Sequence, residues 1–159
     1  MKQKKQYWLF KSEPESFSIQ DLARIQNKRT HWDGVRNFQA RNFLRDTIQV
    51  GDEVFLYHSN ADPPAIVGIA KVVRAGYPDH TAFDRKDPHY DPKSNPINPT
   101  WYMVDIEHVK TFPRPMGLPE LKAQPTLRDM VLLKSSRLSI QPVSEAEWKQ
   151  IDALRKSRV

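Results

Sequence analysis

The chain contains no cysteine, which excludes disulfides, thiolate catalysis and cysteine-based zinc sites. Glycine is scarce, 5 residues against 13 prolines, so compact structure joined by rigid, irregular loops is expected. No segment approaches the roughly 20 apolar residues needed to span a bilayer. Met1 to Lys5 is basic, but the apolar stretch behind it is too short for a secretory leader. A cytosolic or nucleoid-associated protein without a membrane partner is the expectation. Negative charge is also in short supply: 25 Lys and Arg face 19 Asp and Glu, giving a formal charge of +6. That balance favours an anionic partner, chiefly nucleic acid, although charge alone does not separate functional from incidental binding. The 159 residues suit a single domain, 1–159, with one hydrophobic core.

What is present reads as short strands separated by short helices. Residues 7–11 form a first strand, and Ser18 with Asp21 caps a helix over 18–26. Asn37 caps a second helix from Phe38 to about Asp46. Gly51-Asp52 turns the chain into a strand at 53–58 with apolar residues on both faces, and residues 66–73 form the clearest strand. Gly68 within it marks a bulge or a close approach. Residues 77–100 carry five prolines and no periodic pattern, yet Phe83, Tyr90 and Trp101 argue that the segment is ordered. Residues 101–109 alternate as a strand, Pro119 opens a short helix, and Thr126 with Asp129 caps another. Residues 136–141 alternate and stop at Pro142, and Ser144 with Glu147 is a capping box for a C-terminal helix. The pattern fits an α+β fold, a mixed or antiparallel small β-barrel of about five to six strands flanked by short helices.

Two runs carry chemistry. Tyr7-Trp8-Leu9-Phe10-Lys11-Ser12-Glu13-Pro14 is a buried strand ending on a polar tetrad. Trp32-Asp33-Gly34-Val35-Arg36-Asn37-Phe38-Gln39-Ala40-Arg41-Asn42 interleaves aromatics, guanidinium groups and amides. Aromatic faces stack on bases, amides pair with base edges and arginines meet phosphates, so a nucleobase is the ligand these residues suit.

These runs, with Tyr57-His58-Ser59-Asn60, Ile66-Val67-Gly68-Ile69-Ala70, Tyr90-Asp91-Pro92-Lys93-Ser94 and Ser136-Arg137-Leu138-Ser139-Ile140-Gln141-Pro142-Val143, resemble the EVE-domain family, in order and over nearly the whole chain. One departure is Ala65, after Pro63-Pro64, where glycine is expected. The resemblance implies a PUA-like barrel related to readers of methylated adenine in RNA and of methylated cytosine in DNA. It further implies a non-catalytic module that reads a modified base, a modified cytosine in DNA before RNA, flipped into an aromatic-walled pocket at the barrel mouth.

On that reading Lys11, Ser12 and Glu13 surround the base at the strand end, and Trp32 stacks on it from a loop beside Val35. Asn60, with His58 and Ser59, offers donors and acceptors to a base edge, and Arg137, Leu138 and Ser139 read the ligand from the late strand. Asn37 joins the pocket, although an N-cap suffices to explain it; Arg36, Arg41 and Lys93 hold the backbone phosphates. Each has a structural alternative: a strand-end ion pair, a core tryptophan, a turn-forming asparagine, an ordinary edge strand. Trp8, Trp101 and Trp148 read as core. Asp84, Asp87 and Asp91 with His89 suggest a hard-cation cluster, but prolines separate them and no loop signature accompanies them, so no metal or other cofactor is expected. Two other functions compete: a hydrolase acting on a modified nucleoside with Glu13 or His58 as acid–base group, and a general RNA-binding domain whose charge supplies all affinity.

Overall fold

The computed structural model describes residues 4–134 and 137–157. Its strands are β1 (Tyr7–Ser12), β2 (Arg29–His31), β3 (Glu53–His58), β4 (Ala65–Pro78), β5 (Tyr102–Gly117) and β6 (Ile140–Val143). They form one six-stranded sheet in the order β2-β5-β4-β3-β1-β6. β1 runs parallel to β3, while every other neighbouring pair is antiparallel, so the sheet is mixed as expected. Edge strands β2 and β6 do not pair with each other, so the sheet is open rather than a closed barrel.

Apolar residues on both faces of the central strands are explained by helices on both sides. Trp8, Phe10, Val54 and Leu56 point into one cluster, which α1 (Ile19–Arg24) and α2 (Phe38–Asn42) cover through Ile19, Leu22 and Ala40. The intervening Leu9, Phe55 and Tyr57 enter a second cluster. There α3 (Leu118–Lys122), α4 (Val131–Lys134) and α5 (Glu145–Lys156) contribute Leu121, Leu132, Trp148 and Ile151. Trp148 stacks on Phe55 with ring centroids 3.7 Å apart. The two-residue alternation of a strand therefore sorts each side chain to a core. Capping boxes at Ser18 and Ser144 start α1 and α5, each satisfying backbone donors the first turn leaves open. Buried Asp52 ties β1 to β3, accepting from the Gln6 amide N–H, Gln6 Nε2, Trp8 Nε1 and the Gln49 amide at 2.9–3.0 Å.

β4 and β5 are longer than the sequence suggests, 14 and 16 residues. Their pairing slips register at several points, one of them spanning Gly68. A Cβ at Gly68 would stand 2.0 Å from Ile19 Cδ1 and 2.3 Å from the Lys110 carbonyl oxygen, so bulge and close approach coincide there. Residues 110–117 lie beyond the expected strand end, because Pro113 and Pro115 break the pattern; they pair only toward β4.

Three expectations are corrected. The strand expected over 136–141 begins at Ile140 and continues through Pro142, which pairs with Trp8. Proline is tolerated because β6 is an edge strand, with no neighbour for the missing N–H. Thr126 and Asp129 do not cap one helix; a 3-10 turn at Pro125–Leu127 precedes the separate α4. The helix expected to reach Asp46 is α-helical only to Asn42, then widens into a π turn over Phe43–Thr47. β2 has no counterpart among the expected elements, since three residues give no periodicity.

Candidate functional site

A cavity of about 410 Å³ opens where β1 and β2 end; Lys11, Ser12, Glu13, Trp32, Asp33 and His89 are among its lining residues. Its remaining wall includes Phe17, Thr30, His31, Val35 and Ser139. Its position follows from the pairing at the strand ends. The Lys11 amide donates to the Ser139 carbonyl at 2.9 Å, bringing the segment before β6 alongside β1. The Trp32 amide donates to the Val104 carbonyl at 2.8 Å, extending the β2–β5 ladder by one residue. The indole that follows is 8% exposed and packs against Phe10 and Phe17, at centroid distances of 5.5 and 6.0 Å. Trp32 thus belongs to the core and to the cavity wall at once.

The loop after Trp32 is held from behind. Asp79 is fully buried; its Oδ2 accepts from the Gly34 amide at 2.8 Å and from Arg36 Nη1 at 3.0 Å. Its Oδ1 accepts from the Thr81 amide at 2.9 Å and the Thr81 hydroxyl at 2.5 Å. Burial by itself would push the Asp79 carboxyl up, but the hydrogen bonds from Thr81, Gly34 and Arg36 outweigh it and the net shift is down. Arg36 also donates to the His89 carbonyl at 2.7 and 3.2 Å and lies over the Trp101 ring. Gly34, at φ +78°, is required: a Cβ there would meet the His89 imidazole at 2.5–2.8 Å. These contacts clamp the segment after β2 onto the proline-rich segment before β5, and the two form one side of the cavity.

At the floor, the Ser12 hydroxyl donates to the Phe17 carbonyl at 2.8 Å, which leaves its lone pairs as acceptors. Lys11 is partly buried with Nζ 5.7 Å from the Tyr57 ring centre, and burial pushes its ammonium pKa down. Glu13 is exposed, with its carbonyl accepting from the Ser16 and Phe17 amides at 3.0 Å. The lining therefore joins an aromatic wall to donors and acceptors of both charges.

Of the residues singled out from sequence, Lys11, Ser12, Glu13, Trp32, Val35, Arg36 and Ser139 line this cavity. The rest sit elsewhere. His58 is buried under α1, where its Nε2 accepts from the Ile19 amide at 3.1 Å; burial pushes its pKa down, only partly opposed by Asp21. Ser59 pairs with the Ser12 carbonyl, and Asn60, at φ 51°, is an exposed turn residue. Asn37 caps α2, its side chain accepting from the Ala40 amide at 2.9 Å. Leu138 is core, Arg137 is exposed, and Ser136 lies outside the described residues. Arg36 reaches the lining but its N–H groups point at protein acceptors. Arg41 donates to the Thr100 carbonyl at 2.7 Å and stacks on Phe38, and Lys93 is exposed away from the lining.

Phe17, Thr30, His31 and Asp33 also line the cavity, although the sequence pattern does not single them out as ligand contacts, and so does His89, which the sequence offers only as part of a candidate cation cluster. In the sequence Asp33 is half of an Asp-Gly turn, and His89 stands in a proline-rich segment beside Asp84, Asp87 and Asp91. Asp84, Asp87 and Asp91 each accept from a backbone amide two residues on, at 2.8–2.9 Å, which accounts for the acidic spacing as a chain of turns. Ligand atoms of Asp33, Asp87 and His89 come within 4.8 Å of one another at the cavity mouth. Among the described residues no helix is long and apolar enough to cross a membrane.

The family is shown by the chain itself: residues 6–154 match the EVE domain, and the chain belongs to that family. Human thymocyte nuclear protein 1 is 46% identical over 159 residues, covering 89% of this chain and 70% of the human protein. A hypothetical protein from Leishmania major superposes with a TM-score of 0.92 at 43% identity, covering 98% of this chain and 97% of its own. The human THYN1 protein in complex with 5-methylcytosine-containing DNA superposes with a TM-score of 0.89 at 44% identity, over 94% and 97% of the two chains.

Proposed function

We propose that this protein is a non-catalytic reader that takes one modified cytosine, flipped out of DNA, into the cavity at the end of β1. The observation that carries the reading is the cavity wall: an indole and a phenyl ring beside a partly buried ammonium, a serine and two carboxylates. The solved complex of a 44% identical relative with 5-methylcytosine-containing DNA supports the choice of base and of DNA over RNA. Stacking on Trp32 and Phe17 supplies about 1–3 kcal/mol per base, and edge hydrogen bonds from Lys11, Ser12 and Ser139 add to it. Together they offset the few kcal/mol that extruding a base costs. The net charge of +6 supplies sequence-independent attraction to the duplex. With DNA as partner, the protein works at the genome rather than free in the cytosol. The acid–base roles considered for a hydrolase find little support: His58 is committed to the Ile19 amide away from the cavity, and Glu13 is exposed.

The test is binding to matched oligonucleotides bearing cytosine, 5-methylcytosine or 5-hydroxymethylcytosine, in DNA and RNA, at two salt concentrations. A gain on modification that survives the higher salt and is lost in Trp32→Ala supports the reading. Because Trp32 is also core, Lys11→Gln serves as a second variant that removes no core aromatic. Equal binding to every oligonucleotide, erased by salt, refutes it and leaves a basic surface. Turnover of a modified nucleoside, lost on Glu13→Gln, would establish an enzyme instead.

A further inference from the structure

We propose that Asp33 reads the exocyclic amine of the bound base, so that the cavity accepts 4-aminopyrimidines and rejects thymine; this rests on the base-reading function just described. Asp33 lines the cavity directly after the stacking residue Trp32 and is half-buried. Its carboxylate makes no hydrogen bond to any described residue; its nearest ionic neighbour is His31 Nε2 at 3.9 Å, beyond hydrogen-bond reach. Four other acids around the site have structural work. Asp79 takes four donors, and Asp84, Asp87 and Asp91 each close a turn. Glu13 also lines the cavity but is exposed, where water satisfies it. Asp33 alone among these is both partly withdrawn from water and left as an acceptor without a donor.

An ionised carboxylate accepts and never donates. The 5-methyl group cannot by itself define the ligand, because thymine carries the same group. The two bases differ at positions 3 and 4: cytosine presents an amine at C4, whereas thymine presents a carbonyl oxygen. A carboxylate facing position 4 attracts the first and repels the second. The Lys11 ammonium, a donor only, suits the O2 and N3 acceptors of a cytosine. Aromatic wall, acceptor and donor together therefore select an aminopyrimidine, and the reader distinguishes 5-methylcytosine from its deamination product.

The experiment uses the full chain and short DNA duplexes carrying a single 5-methylcytosine, cytosine or thymine opposite an abasic site, so that no base pair must be broken in any of them. Wild type is expected to prefer 5-methylcytosine over thymine by roughly 10-fold or more. Asp33→Asn, whose amide can turn its NH2 toward a carbonyl, is expected to bring that ratio within about threefold. Its thermal midpoint should match wild type, since no hydrogen bond is lost. Equal wild-type affinity for 5-methylcytosine and thymine overturns the inference and leaves the reader function standing. A ratio that survives Asp33→Asn also overturns it, as does one abolished by Glu13→Gln instead. If the preference appears only with a divalent cation and vanishes with chelator, Asp33 acts with Asp87 and His89 through a metal, and direct reading is wrong. Absence of any modification-dependent binding by wild type refutes the underlying function and this inference with it.

Discussion

Replacing Asp79 with asparagine tests how the cavity is built. The substitution keeps shape and removes charge. Asparagine can turn its single amide oxygen to one pair of donors only, either the Thr81 amide and hydroxyl or the Gly34 amide and Arg36 Nη1. Its NH2 then faces the other pair. A buried donor deprived of its acceptor costs about 1–3 kcal/mol, and the charge-assisted bond to Arg36 is at the upper end of ordinary hydrogen bonds. Arg36 retains the His89 carbonyl and is 23% exposed, which limits the loss on that side. A destabilisation of about 2–4 kcal/mol follows, and at about 2–4 °C per kcal/mol for a chain this long the thermal midpoint should fall by roughly 5–15 °C. Because Gly34 and Arg36 flank the cavity, affinity for a modified-base oligonucleotide should fall as well, measured at a temperature where the variant is folded. The pH dependence gives a second readout. The folded carboxyl is shifted down, so its contribution is complete above the unfolded value of about 4 and is lost as pH falls through the lower folded value. Wild type should shed that increment in acid and Asp79→Asn should have none to shed. A midpoint within about 2 °C of wild type at pH 7, with binding intact, would refute the clamp.

Three further outcomes are expected. Gly68→Ala drives a methyl into Ile19 Cδ1 and the Lys110 carbonyl, and should destabilise by about 1–3 kcal/mol or more in a thermal melt; a smaller effect would mean that the β4–β5 backbone yields. His58, buried with its pKa pushed down, binds fewer protons folded than unfolded, so stability should decline as pH falls below about 6.5, and His58→Gln should blunt that decline in melts across pH 5–8. Burial also lowers the Lys11 pKa, so DNA affinity should weaken with rising pH before ordinary lysines titrate; an identical alkaline profile in Lys11→Gln would show that Lys11 does not touch the DNA.

Much of the fold is legible in the chain because it is local. The capping boxes at Ser18 and Ser144, the Asn37 cap and the continuous apolar runs of β1 and β3 each involve residues within a few positions of one another. Such signals determine which segments form helix or strand, and the polar end of β1 after its apolar run marks one side of the cavity. β2, the extension of β5 through Pro113 and Pro115, and the strand run through Pro142 depend on which edge has a neighbour, a property of sheet order. The choice between His58 as a ligand contact and His58 as an acceptor for the Ile19 amide is likewise made by where α1 packs. Asp33 and His89 stand 56 positions apart and share the cavity only because Arg36 and Asp79 clamp their two loops together. Sequence by itself determined most of the elements, the net charge and the family. Tertiary structure alone decided which polar groups are satisfied by the protein and which remain for a ligand, because a hydrogen bond depends on distance and burial that no local pattern contains.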